Sequence, residues 1–353
     1  SGRGILKSPN KIEVTSGKKK EIVEAKKIII ATGARPKIFP GMESDGKQVI
    51  TSKEAMVLKE PPKKMVIIGA GAIGAEFAYF YNEYGTEIHL IEMMPNILPI
   101  EDEDISKEVE KSFKKSGIKI YKETKVTQIE KLKTKVKVHA EKGKEKQIID
   151  ADIVLIATGV KGNIENIGLE EIGVTSDKGA ITINEFNQTS VPNVYAIGDV
   201  SGPPWLAHVA SAQGHVAVEH ASGHTPQPVD YTNIPGCTYC QPQVASLGMT
   251  EAIAKEKGIA IKVGRFDFRS SGKALATGDS TGFVKIIFDA KYGELLGCHI
   301  VGSEATELIA ELCVAKALET TWQEIAMTVH AHPTLSEAVM EAALDAFGQG
   351  VHQ

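Results

Sequence analysis

The 353-residue sequence holds only four cysteines, Cys237, Cys240, Cys298 and Cys313. They are too few and too irregularly spaced for a secreted disulfide framework, which points to a reducing, cytoplasmic setting. Cys237 and Cys240 have the spacing of a redox motif or of half a zinc site, but no second such pair completes a zinc site and no helix start obviously follows. The residues around them read as strand and loop, so the pair is expected to be structural and no metal site is expected. No apolar run reaches the roughly 18 residues that a membrane-spanning helix needs, and the segment opened by Ser1 lacks the apolar core of a secretory signal. Ser1 is not an initiator Met, so the natural start is expected elsewhere. A block of basic residues is also missing: the net charge is −5 and lysines alternate with acids, which argues against a nucleic-acid binder.

What is present is 42% hydrophobic and 24% charged, the balance of a soluble globular protein. At roughly 150 residues per domain the length suggests two or three domains. The most informative stretch is Met65-Val66-Ile67-Ile68-Gly69-Ala70-Gly71-Ala72-Ile73-Gly74-Ala75-Glu76. It reads as buried strand, glycine-rich turn and helix start. Gly69 permits the tight turn, Gly71 lets a dinucleotide pyrophosphate approach the backbone, and Gly74 lets helix and strand pack closely. The diphosphate would sit over the free N–H groups of the helix start. A second apolar strand, Glu87 to Ile91, ends in Glu92. That acid is placed to accept ribose hydroxyls and to repel a 2′-phosphate, which favours NAD over NADP.

Along the chain, Lys11-Ile12-Glu13-Val14-Thr15 and Glu21-Ile22-Val23-Glu24-Ala25 predict a hairpin, followed by the apolar strand Ile28-Ile29-Ile30 and Ala31-Thr32-Gly33. Pro61-Pro62 marks a linker. An amphipathic helix is expected over 104–115, a lysine-rich hairpin over 131–149, and a strand Ile153-Val154-Leu155-Ile156 before Ala157-Thr158-Gly159. Hairpin, buried strand and Ala-Thr-Gly therefore occur twice, about 126 residues apart. The second copy carries the glycine fingerprint; the first has only about 30 residues ahead of it and no fingerprint, so its domain is expected to be incomplete. A further buried strand, Asn193 to Ile197, ends in Gly198-Asp199, where ligands bind at the carboxyl ends of parallel strands; Asp199 could equally cap the next helix. After Pro228 the pattern changes to α+β, with a strand at 282–287 and helices at 303–320 and 335–347.

These features resemble the flavoprotein disulfide reductases, most of all the dihydrolipoamide dehydrogenases. The resemblance covers nearly the whole chain and rests on Ala31 to Pro36, Gly69 to Glu76, Ala157-Thr158-Gly159, Tyr195 to Asp199, Leu206-Ala207-His208 and His330-Ala331-His332-Pro333-Thr334-Leu335-Ser336-Glu337. It implies an α/β fold of Rossmann-like FAD- and NAD(P)-binding domains, the first incomplete, followed by an α+β C-terminal dimerisation domain. The implied layout is a remnant of the FAD domain at 1–60, an NAD domain at 61–182, a returning FAD segment at 183–228 and the dimerisation domain at 229–353.

By the same resemblance Thr32, Gly33, Asp199, Trp205, Leu206, Ala207 and His208 lie along FAD. Gly69, Ala70, Gly71, Ala72, Ile73, Gly74, Glu92, Val126 and Gly159 contact NAD. Glu76 matches an acid that pairs in relatives with a lysine beside the flavin, and that lysine is not in this sequence. Val209 stands where relatives often have lysine. His332 would be the general acid–base that takes a proton from a dihydrolipoamide thiol, oriented by Glu337, with His330 as support. A His-Pro at a helix start serves alone more often as a cap, and the resemblance reverses that reading; Pro333 is expected at the first helical position.

The family's redox disulfide, a Cys-x4-Cys pair, has no counterpart among the four cysteines. The reading is thus of an N-terminally truncated dehydrogenase, inactive alone, with NAD binding retained and FAD binding weakened or lost. Its expected partners are the lipoyl domain of a 2-oxo acid dehydrogenase or glycine cleavage complex, and a second copy of itself, with no nucleic acid and no membrane. Glutathione reductase is the nearest rival but would want basic residues after the second strand, where Met93, Met94 and Pro95 follow Glu92. Mercuric reductases lack the His-Pro-Thr-x-x-Glu ending. A non-catalytic NAD-binding scaffold is the alternative of a different class.

Overall fold

In the computed structural model, which describes residues 2–352, Lys64–Ile68 is the central strand of a five-stranded parallel sheet. Its order is Val49–Thr51, Ile153–Ile156, Lys64–Ile68, Glu87–Ile91 and Lys119–Tyr121. Met65 to Ile68 are all buried because this sheet is covered on both faces, which is why the strand is an unbroken apolar run. Met65 and Ile67 face one core with the helices Ala72–Glu83 and Glu103–Lys115. Val66 and Ile68 face the other, against the three-stranded antiparallel sheet Lys125–Lys131, Val136–Lys142 and Glu145–Ala151. The Glu103–Lys115 helix buries Ile105, Val109 and Phe113 at four-residue spacing. Asp102 caps it by accepting from the Asp104 N–H at 3.1 Å, and acids at its start and lysines at its end complement its dipole.

Residues 236–302 build a second sheet, antiparallel, in the order Gly236–Thr238, Gln243–Gly248, Leu295–Gly302, Gly282–Asp289 and Ile261–Asp267. Alternate residues divide between its faces. Ala245, Val284 and Ile300 pack under the helices Ala305–Ala317, Trp322–Met327 and Glu337–Asp345. Val244, Phe283 and Val301 join the core of the nucleotide fold. Residues Ile38–Gly159 and Thr232–Gln353 therefore form one unit.

The other unit is Ser1–Lys37 with Val160–Tyr231. It holds a three-stranded antiparallel sheet (Arg3–Ser8, Lys11–Ser16, Lys19–Glu24), a parallel pair of Ile28–Ile30 with Val194–Ala196, and the helix Ala207–Ala221. Leu6, Ile28, Ile30, Leu169, Val174, Ile181, Val194 and Val200 make its core.

Both copies of the sequence repeat are three-stranded sheets, not hairpins, each followed by a parallel strand. The boundaries also differ from those expected. Val49–Thr51 pairs with Ile153–Ile156, which draws residues 38–60 into the nucleotide unit. Val160–Gly162 pairs with Ala34–Pro36, which takes 160–182 out of it. The C-terminal sheet shares a core with the five-stranded parallel sheet.

The fingerprint glycines answer to different constraints, and substitution separates them. A Cβ at Gly74 would lie 1.9 Å from the Gly69 carbonyl oxygen, whereas one at Gly71 would meet nothing within 4 Å. Gly74→Ala is expected to cost about 1–3 kcal/mol through forced separation of helix and strand, and Gly71→Ala less than about 1 kcal/mol. Urea unfolding of the two variants checks the contrast; equal losses would contradict it.

Candidate functional site

The glycine turn is held from both sides by the segment that follows the next strand. Gly69 has φ +99°, and a Cβ there would strike the Ala157 carbonyl oxygen at 2.4 Å, so only glycine fits. The Ala70 N–H donates to Glu92 Oε2 at 2.7 Å, and the Ala70 carbonyl accepts from the Leu98 N–H at 2.7 Å. Glu92 Oε1 accepts from the Met94 N–H at 2.8 Å. Glu92 is thus buried, its carboxylate satisfied by two backbone donors rather than standing open at the strand end. Gly71 is the N-cap of the Ala72–Glu83 helix and offers no side chain. Ala72 and Ile73 follow in the first turn, whose N–H groups no side chain caps.

Two further residues implied for NAD sit differently. Val126 is buried in the core between the sheets, so it can present only main chain to a ligand. Gly159 has φ +96° and open space where a Cβ would be. Glu76, half-buried on the helix, accepts from the Tyr239 N–H at 2.9 Å, and burial raises its carboxyl above the usual range.

In the other unit, Asp199 follows the strand Val194–Ala196 in a short 3-10 turn, Gly198–Ser201. Gln213 fixes that turn: buried, it accepts from the Gly198 N–H at 2.6 Å and donates to Tyr231 Oη at 2.7 Å. Trp205 is exposed, Leu206 is the N-cap of the Ala207–Ala221 helix, and His208 lies in its first turn. Val209 is buried, which accounts for an apolar residue there. Thr32 and Gly33 are engaged in structure. Thr32 Oγ1 donates to the Asn163 carbonyl at 2.8 Å, and the Asn163 N–H donates to the Gly33 carbonyl at 2.9 Å.

The His-Pro loop presents one imidazole to solvent. His332 Nδ1 lies 2.9 Å from Glu337 Oε1, and its side chain is 78% exposed. Glu337 is held on its other oxygen by the Thr334 N–H at 2.8 Å. With Nδ1–H given to the carboxylate, Nε2 is left as the free base, facing outward. His330 points the other way: its side chain is 6% exposed, with Nδ1 2.9 Å from the Thr328 carbonyl and Nε2 2.8 Å from Glu311. Pro333 is not the first helical residue. The helix starts at Glu337, because Thr334 Oγ1 donates to the Ala331 carbonyl and also meets Ser336 Oγ, closing a turn over 331–336. The cysteines supply no reactive pair. All four are free, and burial pushes the Cys240 thiol up to about 12.

Residues 2–214 match the family described as pyridine nucleotide-disulphide oxidoreductase, and residues 234–343 match its dimerisation domain. The chain belongs to the pyridine nucleotide-disulphide oxidoreductases. It is 50% identical over 327 residues to a dihydrolipoyl dehydrogenase of Rhizobium etli, covering 92% of this chain and 68% of that one. A dihydrolipoyl dehydrogenase of Bacillus subtilis is 44% identical over 343 residues, covering 97% of this chain and 72% of the relative. Among solved structures, LpdA from Mycobacterium tuberculosis superposes with a TM-score of 0.90 at 28% identity, covering 97% of this chain and 76% of that chain. The flavoprotein disulfide reductase RclA from Escherichia coli has the same fold, with a TM-score of 0.88 at 24% identity over 97% of this chain and 78% of its own.

For an oxidoreductase of this family, FAD and NAD(P) are the expected cofactors. Two residues that shape its sites escaped the sequence reading. Gln213 is the lone amide between Ala207 and Ala217, a weak signal, whereas Thr334 carried none beyond its motif. No helix among the described residues is long and apolar enough to cross a membrane.

The Glu337 bonds have a definite pH signature. The Thr334 N–H, then His332, hold its carboxyl below the usual range. Its contribution to stability is therefore present above the unfolded value near 4.5 and is lost as the pH falls through the lower folded value. Glu337→Gln should cost up to about 1 kcal/mol at pH 6, since the pair is partly exposed. The deficit should shrink at about pH 4, as urea midpoints will show; a constant deficit would contradict the assignment.

Proposed function

We propose that this chain serves the oxidation of dihydrolipoamide coupled to reduction of NAD, with His332 as general acid–base and Glu337 as its orienting carboxylate. The observation that carries the reading is the outward imidazole tied by Nδ1 to Glu337, in a chain whose relatives are dihydrolipoyl dehydrogenases. Nε2 would accept the proton of one substrate thiol, and the resulting thiolate is the stronger nucleophile toward a disulfide. The imidazolium formed is stabilised by Glu337, whose second oxygen stays fixed by Thr334.

The residues assigned to NAD fit a dinucleotide. The empty space beside Gly71 and the uncapped helix start suit a diphosphate, with Gly69 and Ala70 forming the turn and Ala72, Ile73 and Gly74 the first helical turn. Glu92 supports the turn through Ala70, and its carboxylate disfavours a 2′-phosphate. Val126 contributes main chain only; Gly159 and Glu76 complete the set. For FAD, Asp199, Thr32, Gly33 and Trp205 through His208 are the candidates. Asp199, in the 3-10 turn that follows the strand Val194–Ala196, is the candidate for the ribityl and pyrophosphate region. FAD held by these residues would supply the two-electron relay between a thiol pair and NAD.

No two cysteines stand five residues apart, so these 353 residues alone lack a thiol pair with the family's spacing. The proposal is accordingly that they bind NAD, bind FAD weakly or not at all, and do not turn over dihydrolipoamide by themselves. The dimerisation domain favours a homodimer, and a lipoyl domain is the expected substrate carrier.

Calorimetric titration with NADH tests the nucleotide site. Binding is expected for the wild type, loss of at least about tenfold for Gly71→Ala, and weaker binding of NADPH. Flavin absorbance together with NADH formation from dihydrolipoamide, from this chain alone, would overturn the inactivity. NADH binding with no activity when a thiol pair and flavin fold are supplied by a relative's N-terminal fragment would favour a non-catalytic scaffold.

A further inference from the structure

Across the C-terminal sheet, Ser246 pairs in register with His299, and His299 with Lys285. All three occupy the face whose alternate members Val244, Val301 and Phe283 enter the nucleotide-fold core. Opposite this polar row stands Glu101-Asp102-Glu103-Asp104, at the start of the Glu103–Lys115 helix. Lys285 is 3% exposed, and its Nζ lies 2.7 Å from Asp102 Oδ1 and 2.7 Å from Asp104 Oδ2, with Glu251 as a third partner. These three acids are close enough to share a cation, and the ammonium already fills that place. Lys285 and Asp102 leave water together, which is tolerable because each satisfies the other, while Asp104 and Glu251 approach the ammonium from the solvent side.

Glu101 is left out of this arrangement. Its Oε2 is sealed from solvent and has no hydrogen-bond partner. The groups that face it are Ser246 from the sheet, Asp102 from its own segment, and the thiols of Cys237 and Cys240 from the neighbouring strand and loop. Burial raises both thiols, so neither brings a charge at neutral pH. His299, 1% exposed with Nδ1 unpartnered, is pushed down by burial and stays neutral. Glu76 lies beyond Cys240 and Glu307 beyond Cys237, both acids. The ammonium of Lys285 is committed elsewhere.

We propose that Glu101 is a protonation switch in this seam: neutral, it lets the C-terminal sheet close on residues 98–106, and ionised, it places an unpaired charge there and loosens the contact. Burial and the adjacent Asp102 raise its carboxyl to about 7, which puts the change near neutrality. Leu98, three residues earlier, donates to the Ala70 carbonyl, so the loosened segment is the one that holds the glycine turn. The switch rests on the seam alone and stands whether or not the turn binds NAD.

The sign is fixed by linkage. The folded state holds a proton on Glu101 that the unfolded state releases above about 4.5, so stability falls as pH rises from there through about 7. His299 acts in the opposite sense, since its depressed value costs stability on acidification. Comparison with the isosteric Glu101→Gln cancels His299, which titrates in both proteins. Hydrogen exchange of amides 98–106 and 282–286, corrected for intrinsic rates, is the measurement. Between about pH 5.5 and 8 the opening constant of the wild type should rise more than tenfold relative to Glu101→Gln. Ser246→Ala, which removes the neighbour that favours the ionised form, should move the transition to higher pH, and Cys237→Ser should leave it in place. Parallel profiles for wild type and Glu101→Gln, or a transition displaced by Cys237→Ser and not by Ser246→Ala, would overturn the switch.

Discussion

Ala70 gives its N–H to Glu92 and its carbonyl to the Leu98 N–H, and the nucleotide turn depends on this pair of bonds. The turn itself has almost no side chains with which to stabilise its shape. Gly69 occupies a left-handed conformation pressed against Ala157, and Gly74 lies against the Gly69 carbonyl. Its conformation must therefore be imposed from outside, and the 92–98 segment imposes it. A buried carboxylate would ordinarily be a liability, but two backbone donors make Glu92 a charge-assisted anchor. The acid proposed to disfavour a 2′-phosphate also holds the turn against which the dinucleotide would lie.

Where local constraint alone decides structure, the sequence was readable. Strand, glycine turn and helix at 64–83 follow from apolar periodicity and three glycines with three distinct steric reasons. The repeated Ala-Thr-Gly units were visible, yet their first strands were not. Arg3–Ser8 is half polar and Lys125–Lys131 mostly so, and both signal strand only once their partners are known. Val49–Thr51 is three residues long and gains its place from a strand a hundred residues later. Long-range pairing, not the Pro61-Pro62 signal, decides which unit residues 38–60 and 160–182 join. Of the site, the motif residues were legible, while the closed turn before Glu337 was not, because Thr334 competes with the helix through its own side chain.

The His-Pro loop illustrates how little regular structure a base requires. His330 and His332 alternate as in an extended chain, one buried against Glu311 and the Thr328 carbonyl, the other outward on Glu337. Anchoring the first fixes the backbone from which the second projects, and Thr334 prevents Glu337 from following its partner into solvent. Preorganisation of this kind would serve the proposed proton transfer more than burial would.

The antiparallel sheet joins these two chemistries. On one face it buries the helix that begins at Glu337; on the other, Val244, Phe283 and Val301 sink into the nucleotide-fold core while Ser246, His299 and Lys285 meet the acids that end the 92–104 segment. An apolar seam alone would leave the docking angle loosely defined, because hydrophobic contact is non-directional. The lysine with its three carboxylates supplies direction. Glu101 then lies where that direction is most costly to disturb, beside a saturated cation with one oxygen unsatisfied. Geometry of this sort ties the shape of the Ala70 turn to a single proton some thirty residues away in sequence.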